Sequence, residues 1–423
     1  MTSRPLRGHL RRRWWVYALL LAAGLGAARV WVFALTVPLD SDPAAKAAPE
    51  RAAATLPPGV RSLDSILEPL RAAHRVPALA AAIVRGDSVW AIGAVGVRRA
   101  GGPDRVTIAD RFRIGSCTKS MTASLIGRLV DEGRLRWETT IGDVFPELAG
   151  KVRSAYLAAT VDQLLHHRSG LPDDRRDVLL LWRYQSLRGP VARQRSRLVE
   201  IALQQAPAAP PGTRTIYSNA GYCVLGAMAE RVTGDSWESL IQARLFQPLG
   251  MASAGFGSPS AGGSSGQPWG HRALAPFLPW VLPVSEDRLP AVIRPAGGIF
   301  LSLGDWAKFA CLHLDAAQGR CRLLECATFR HLQEAPPGSY YACGWGRGFR
   351  KGLGPVLQHA GSDGNWYAVI GIAAQRDLAL LIATNEGDPE GSRVCAAAGA
   401  ALVQYWQRSE GTQAGLIGSQ PTF

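Results

Sequence analysis

Ser116-Cys117-Thr118-Lys119 opens the segment that decides how this 423-residue chain folds and what it can do. Residues 116–134 read as an amphipathic helix with an apolar face. The apolar residues at helical spacing are Met121, Leu125, Ile126 and Leu129. A helix places the hydroxyl of Ser116 beside the amine of Lys119, which can accept the serine proton. The unpaired N–H groups of a first helical turn favour a developing oxyanion, so the stretch predicts a serine nucleophile at a helix N-terminus.

Two further motifs follow, Tyr217-Ser218-Asn219 and His359-Ala360-Gly361. A phenol and a carboxamide two residues apart point the same way in an extended segment, toward one pocket. The phenol can carry a proton, and the amide can hold a substrate carbonyl. An imidazole followed by a small residue and a glycine fits a strand edge that a substrate backbone approaches closely. Together the three motifs predict a serine acyl-transfer site.

The order of these motifs resembles that of the serine β-lactamase and penicillin-binding-protein superfamily, in its class C β-lactamase-like branch. Ser-x-x-Lys, Tyr-x-Asn and Lys-Thr-Gly or His-x-Gly recur there in this order. Two more stretches are similar to family segments, Leu164-Leu165-His166-His167-Arg168-Ser169-Gly170-Leu171-Pro172 and Pro295-Ala296-Gly297-Gly298-Ile299-Phe300. The resemblance covers residues 60–407 and implies an α+β fold in which an antiparallel sheet is flanked by helices.

The resemblance also implies a role for each motif residue. Ser116 would be the acyl-accepting nucleophile, Lys119 its proton partner and Tyr217 the general base and acid. Asn219 would contact a substrate amide. The oxyanion hole would consist of the backbone N–H groups of Ser116 and Ser362. No cofactor and no metal ion are implied.

His359, which precedes Gly361 in the third motif, stands where many family members have a lysine. A lysine stays cationic at neutral pH, whereas a histidine of ordinary pKa, about 6.5, is mostly neutral and attracts a substrate carboxylate less. The deacylation elements of class A enzymes are absent, so deacylation would run through Tyr217 and Lys119. Members with His-x-Gly include peptidases, esterases and uncharacterised hydrolases. A β-lactam, a peptide containing D-amino acids and a carboxylic ester therefore all remain candidate substrates.

The N-terminus predicts export. Five arginines precede a 24-residue stretch, Trp14–Val37, whose only charge is Arg29 and which Pro38 ends. Such a stretch is long enough to span a bilayer, and the basic cluster would stay inside, so residues 1–38 are predicted to anchor an extracytoplasmic domain in the membrane. The alternative is a cleaved signal peptide with its apolar region at Val16–Ala28. A buried core helix fits the flanking arginines and Trp14-Trp15 less well.

Charge and cysteine content narrow the partners. The chain carries a net charge of +14, yet it has no nucleic-acid-binding motif. A second arginine concentration predicts a solvated basic face, or a surface for anionic lipid or cell-wall polymer. Its members are Arg175, Arg176, Arg183, Arg188, Arg193, Arg195 and Arg197. The expected partners are thus a small-molecule or peptide acyl substrate and the membrane, and the oligomeric state stays open.

Seven cysteines predict at most a few disulfides, and one is expected among Cys311, Cys321, Cys326 and Cys343. Cys117 and Cys223 are interpreted as small packing residues. Because no Cys-x-x-Cys or His-x-x-x-His spacing occurs, no metal site is predicted, and His166-His167 is assigned to a structural turn.

Composition divides the chain into four parts. Residues 39–59 are rich in Ala, Pro and charge and form a linker to a catalytic domain at 60–407, which is followed by a flexible tail at 408–423. Strand pairs are predicted at 78–84 with 88–95 and at 368–374 with 378–384, and a closing helix at 391–406. Strands at both ends around a helical middle indicate an α+β body with a mostly helical lobe at about 112–290. Residues 253–290 are predicted to be a long irregular loop.

Two functional hypotheses follow. The first is a serine hydrolase in which Ser116 attacks an amide or ester and water then releases the acid. The second is a penicillin-binding, sensor-like protein that acylates with little turnover. Intact motifs at all three places favour the hydrolase.

Overall fold

A seven-stranded sheet forms the centre of the chain, whose computed structural model describes residues 37–38, 55–175, 177–261, 266–273, 280–284 and 289–417. Its order is β10-β11-β12-β13-β3-β4-β2, and all neighbours are antiparallel except β2 and β4. The strands are β2 Arg61–Ser62, β3 Ala78–Arg85, β4 Ser88–Gly96, β10 Gly346–Arg350, β11 Gly354–Ser362, β12 Tyr367–Ala373 and β13 Leu378–Thr384. The predicted strand pairs are those formed by β3 with β4 and by β12 with β13.

Alternation along β3 explains why both faces of the sheet are covered. Leu79, Ala81 and Ile83 belong to one buried apolar cluster, and Ala78, Ala80 and Ala82 belong to another. The first cluster lies under the terminal helices α1, Asp64–His74, and α13, Glu390–Ile417. The second is continuous with the helices between residues 118 and 333. The fold is therefore a sheet between two helical layers, as the α+β prediction required.

Helices predominate in the lobe that precedes β9. They are α2 Thr118–Asp131, α3 Ile141–Val144, α4 Ser154–Leu157, α5 Val161–Leu165, α6 Val178–Gln185, α7 Val191–Leu203, α8 Asn219–Thr233, α9 Trp237–Ile241 and α10 Arg294–Gly297. Two more, α11 Leu303–Ala317 and α12 Cys326–Gln333, follow it. A small sheet of order β5-β9-β6 joins the lobe to the body. Its strands are β5 Arg111–Arg113, β6 Gly255–Phe256 and β9 Ile299–Ser302.

The region predicted as one irregular loop, 253–290, contains regular structure. Besides β6 it holds β7, Gly270–Ala273, and β8, Trp280–Val284, which pair with each other. Strand β1, Val37–Pro38, pairs with β8. Strands this short, flanked by Gly and Pro, show too little alternation for the sequence to reveal them. Burial of His271 in β7 adds a tertiary contact that the local sequence does not encode.

Three other predictions concern the membrane segment, the closing helix and the basic face. Of the predicted membrane segment only Val37 is described, as a strand residue, and residues 14–36 lie outside the described part. Within the described residues no helix has the length and apolar composition needed to cross a bilayer. The closing helix continues to Ile417, past the predicted tail boundary at residue 408, and its last turns are tied to the sheet by an ion pair between Glu410 and Arg85. Arg195, assigned to an exposed basic face, is buried between Glu230 and Glu238.

Candidate active site

Ser116 lies in a tight turn, Gly115–Cys117, that leads directly into α2. Gly115 has φ +49°, a conformation that side chains with a Cβ rarely adopt. The buried Cys117 thiol donates to the backbone carbonyl of His359 at 3.4 Å and so ties the turn to β11. Burial raises the pKa of this thiol, which keeps it protonated. Cys117 is thus the packing residue that the sequence predicted, and Ser116 sits at a helix N-terminus as expected.

Lys119 is fully buried, and its amine is held by three groups. Nζ lies 3.1 Å from Ser116 Oγ, 2.8 Å from Asn219 Oδ1 and 2.7 Å from the carbonyl oxygen of Ala296. The carboxamide oxygen and the carbonyl can only accept, so they fix two of the three free directions of a tetrahedral amine. The third direction, which carries a proton or a lone pair, points at Ser116. This geometry allows proton transfer between the two side chains.

The segment Pro295–Ile299 holds the lysine helix in place. Thr122 donates to the carbonyl of Pro295 at 2.7 Å, and the backbone N–H of Ile299 donates to Thr118 Oγ1 at 3.2 Å. With the bond from Lys119 to Ala296, these contacts span one turn of α2. The sequence identified this segment only as similar to a family stretch and did not reveal that it anchors Lys119.

Asn219 is the first residue of α8, and Asp174 fixes that helix start. The backbone N–H groups of Asn219 and Ala220 donate to the two carboxylate oxygens of Asp174 at 2.8 and 2.7 Å. Ser218 caps the same helix end. The predicted Tyr-x-Asn motif therefore straddles a helix N-terminus, and Asp174 is a positioning residue that the motif search did not find.

Tyr217 borders the same cavity, with its ring between three nitrogen-bearing side chains. The ring centroid lies 4.8 Å from Lys119 Nζ and 5.0 Å from the guanidinium carbon of Arg175. The His167 ring lies 4.3 Å away, and Ser218 donates its backbone N–H to His167 Nδ1 at 3.2 Å. Burial, and then the charge of Lys119, hold the pKa of His167 well below its usual range. A neutral ring therefore packs beside the phenol, and His166-His167 does belong to a turn, in which His167 has φ +57°.

His359 is close to the site but is neutral. Its Nδ1 lies 2.7 Å from the carbonyl oxygen of Ala360, and its Nε2 lies 3.0 Å from the hydroxyl of Tyr341. Nδ1–H therefore donates to the carbonyl, and Nε2 accepts from the phenol. Burial, and then the nearby Lys119 charge, lower the pKa of His359 to about 3. It does not provide the cation of the lysine-containing motif, nor does it titrate near neutral pH.

Gly361 packs against the nucleophile turn rather than leaving room for substrate alone. A Cβ on Gly361 would lie 2.0 Å from the carbonyl oxygen of Ile114 and 2.6 Å from the backbone nitrogen of Ser116. A Cβ on Gly115 would lie 2.7 Å from the backbone nitrogen of Ser362. The two N–H groups predicted for the oxyanion hole are thus neighbours across a contact between two glycines. Strand β10 pairs only with Gly354–Gln358, so this end of β11 extends beyond it.

A cleft of about 640 Å³ opens above these groups. It is bordered by Ser116, Tyr217, Asn219, His359, Gly361 and Ser362, so six of the predicted site residues share one cavity, with Lys119 buried behind it. Helix α6 contributes Leu180, Leu181 and Tyr184 to its wall. The cavity can hold a substrate acyl group of several heavy atoms beside the serine.

Of the other cysteines, Cys223 borders this cleft, whereas Cys321 and Cys326 do not line it. Cys321 and Cys326 form a disulfide, which confirms the prediction of one bridge in this region. Cys223 is buried, and burial raises the pKa of its thiol to about 12. Among the described residues, Asp162, His331 and Cys343 bring three potential metal ligands within 4.8 Å of one another.

Several known proteins are similar to this chain. A family model described as Beta-lactamase matches residues 63–405. The chain is 29% identical to penicillin-binding protein 4 of Amycolatopsis lactamdurans over 75% of this chain and 83% of that protein. It is 27% identical to unguisins hydrolase ungD of Aspergillus violaceofuscus over 69% of this chain, but it spans only 55% of that longer protein. The crystal structure of SurE with D-Leu superposes with a TM-score of 0.63 at 26% identity, covering 81% of this chain and 74% of that one.

Proposed function

Because the chain belongs to the beta-lactamase family and is a serine hydrolase, we propose that it cleaves an amide bond in a peptide containing D-amino acids, through an acyl-enzyme on Ser116. The observation that carries the proposal is the fixed amine of Lys119, 3.1 Å from Ser116 Oγ. The D-amino-acid class is supported by the similarity to a structure described with D-Leu. The substrate and its stereochemistry are the proposed part.

The residues give each step a proton path. Ser116 Oγ attacks the substrate carbonyl while its proton passes to the amine of Lys119, and the carbonyl oxygen becomes an oxyanion near the N–H groups of Ser116 and Ser362. The leaving amine takes a proton from the Lys119 and Tyr217 pair as the C–N bond breaks. Water then attacks the acyl-enzyme while the same pair takes its proton, and the pair returns that proton to Ser116 Oγ as the ester C–O bond breaks and the acid departs.

Intact-mass spectrometry of the full chain, incubated with a β-lactam and separately with a fluorophosphonate, tests the nucleophile. We expect an adduct that Ser116→Ala abolishes and that Ser124→Ala, which removes a buried hydroxyl two turns along α2, retains. An adduct that forms and decays supports a turning-over hydrolase. A β-lactam adduct that persists supports the penicillin-binding, sensor-like alternative. Labelling that survives Ser116→Ala would overturn the assignment of the nucleophile.

A matched pair of substrates tests the amide and its stereochemistry. Dipeptides and amino-acid amides that differ only in D or L configuration at the acyl residue should be hydrolysed faster in the D form. Equal rates for both forms, or cleavage of esters alone, would contradict the proposed substrate class while leaving the acyl-enzyme chemistry intact.

We also propose that the catalytic domain lies outside the cytoplasm, attached by residues 1–38. The support is the arginine cluster ahead of an apolar stretch and the Cys321–Cys326 disulfide, a bond typical of oxidising compartments. Protease added to intact spheroplasts should degrade the domain and spare a tag placed before Met1. Loss of that tag with release of the domain would instead indicate a cleaved signal peptide.

A further inference from the structure

Three elements that are distant in the sequence meet behind the active site and bring together a carboxylate, an imidazole and a thiol. Asp162 lies in α5, His331 in α12, and Cys343 in the segment that leads to β10. His331 Nε2 is 2.8 Å from Asp162 Oδ1, and one ligand atom from each of the three residues lies within 4.8 Å of the other two. A zinc ion with bonds of 2.0–2.3 Å would need these atoms about 3.4–3.7 Å apart in a tetrahedron. The three ligand atoms would have to shift by up to about 1 Å to reach that spacing.

One side of the cluster is accessible to ions from solvent, and the other side is buried. The side chains of Asp162 and His331 are 35% and 32% exposed, whereas Cys343 is fully buried. Trp137 stacks on the His331 ring with the centroids 4.0 Å apart, which limits how the imidazole can turn. Asp162 and His331 thus face solvent, and Cys343 lies buried at the base of the site.

His166 supports the cluster without joining the ligands. Its Nδ1 lies 2.9 Å from the carbonyl oxygen of Asp162, and its Nε2 lies 3.1 Å from the carbonyl oxygen of Glu334. Both ring nitrogens thus have a backbone carbonyl within hydrogen-bond distance, which holds the ring in one orientation. Its Nε2 is 3.5 Å from Cys343 Sγ. The His166 ring therefore packs directly against the thiol of Cys343 and fixes its position.

We propose that Asp162, His331 and Cys343 bind one zinc ion, through a carboxylate oxygen, Nε2 and Sγ, with water as the fourth ligand. One thiolate with an imidazole and a carboxylate suits zinc better than magnesium or calcium, which prefer oxygen alone. Binding displaces the proton of any Cys343 that is still a thiol. The spacing rules used on the sequence could not find this site, because its ligands come from positions 162, 331 and 343.

The position of the site defines its effect. Gly344, next to Cys343, packs so tightly on α2 that a Cβ there would be 2.7 Å from the carbonyl group of Lys119. Tyr341, two residues before Cys343, donates to His359. A bound ion would therefore join α5, α12 and this segment behind the catalytic lysine, and its role would be structural.

Zinc binding by the full chain, with its disulfide intact, is the test. After treatment with a chelator, the protein is titrated with zinc in competition with a chromophoric chelator, and thermal unfolding is followed with and without the metal. We expect one zinc per chain, a higher Tm with zinc, and affinity reduced about 10- to 100-fold or more in His331→Gln and Asp162→Asn. Both positions are partly exposed, so these variants should fold.

His74→Gln is the matched control, since His74 also faces a carboxylate, Glu390 at 3.4 Å, but is not part of the cluster. It should bind zinc as the unmodified chain does. Cobalt provides a second readout: a thiolate-to-cobalt charge-transfer band should be lost in Cys343→Ser and kept in Cys395→Ser, which alters another buried free cysteine. Absence of zinc binding, or equal affinity in His331→Gln and the unmodified chain, would overturn the proposal.

Discussion

Gly361 is the residue at which the turn that carries Ser116, the proposed nucleophile, meets the sheet, and it has no room for a side chain. The backbone of the nucleophile turn occupies the space a Cβ would need, and backbone atoms at 2.0 and 2.6 Å cannot move aside as a flexible side chain can. The sequence predicted a glycine for close approach but assigned the approach to substrate.

Gly361→Ala should therefore push Ser116 and Ser362 apart and lower kcat by about 10²-fold or more, because the oxyanion donors lose their alignment. Gly371→Ala on the neighbouring strand β12 is the control, since a Cβ there meets nothing within 4 Å. Steady-state kinetics of both variants measure the change in kcat, and their unfolding midpoints measure any change in stability. Unchanged kcat in Gly361→Ala would show that the contact between the glycines does not set the geometry.

His359 leads to a prediction about pH. Its pKa in the folded chain, about 3, means that the ring stays neutral from pH 8 down to about pH 4. The pH profiles of kcat/KM should thus have the same shape between pH 5 and 8 in the unmodified chain and in His359→Gln, whose amide oxygen can still accept from Tyr341. An acid limb with an apparent pKa of 6 to 7 that disappears in the variant would contradict a neutral histidine.

At the scale of elements, the start of helix α8 is held from outside the helix. The carboxylate of Asp174 accepts two backbone N–H groups that a helix N-terminus otherwise leaves unpaired. Asn219 lies on that first turn and accepts a hydrogen bond from Lys119, so the cap and the amine of Lys119 are connected through one residue.

Asp174→Ala should lower the free energy of unfolding by about 1–2 kcal/mol and reduce kcat more than it changes KM. Thr140→Ala is the matched control, because Thr140 caps α3 away from the cleft. It should cost comparable stability and leave kcat unchanged. Urea unfolding and steady-state kinetics measure both, and equal kinetic effects in the two variants would remove the proposed link from the cap to Lys119.

The same elements show which parts of the fold and of the candidate site can be predicted from the sequence. Long periodic or alternating segments such as α2, β3 and β13 are predictable from the local sequence. The three motifs likewise identify the predicted site residues. Asp174 and the Ala296 carbonyl do not stand out in the sequence, because a carboxylate that caps a distant helix or a backbone oxygen that accepts from Lys119 has no local pattern. Strands β7 and β8 are stabilised by pairing with each other and by the burial of His271, both of which depend on the completed fold.

At the scale of the whole molecule, buried neutral histidines determine how the fold responds to acid. Burial lowers the pKa of His271 to about 4 and of His313 to about 3, and His167 and His359 are shifted in the same direction. In the unfolded chain each titrates near 6.5, so between pH 6.5 and 4 the unfolded state binds more protons and stability falls as the pH falls. Glu386 opposes this, because burial raises its pKa to about 8 and the folded state then holds its proton.

Near pH 5.5 each of these four histidines favours the unfolded state by up to about one proton, and Glu386, Asp174 and Glu230, whose pKa values burial raises, oppose them. The free energy of unfolding should therefore fall with pH there, and each buried neutral histidine contributes up to about 1.4 kcal/mol per pH unit to that slope. His313, which packs among Phe309, Phe329 and Trp345, is the residue to change. His313→Phe should reduce the slope by about one proton, measured as urea unfolding from pH 5 to 7. Because the substitution removes the titrating group and keeps an aromatic ring, an unchanged slope would mean that His313 is charged in the folded chain or does not contribute to acid sensitivity.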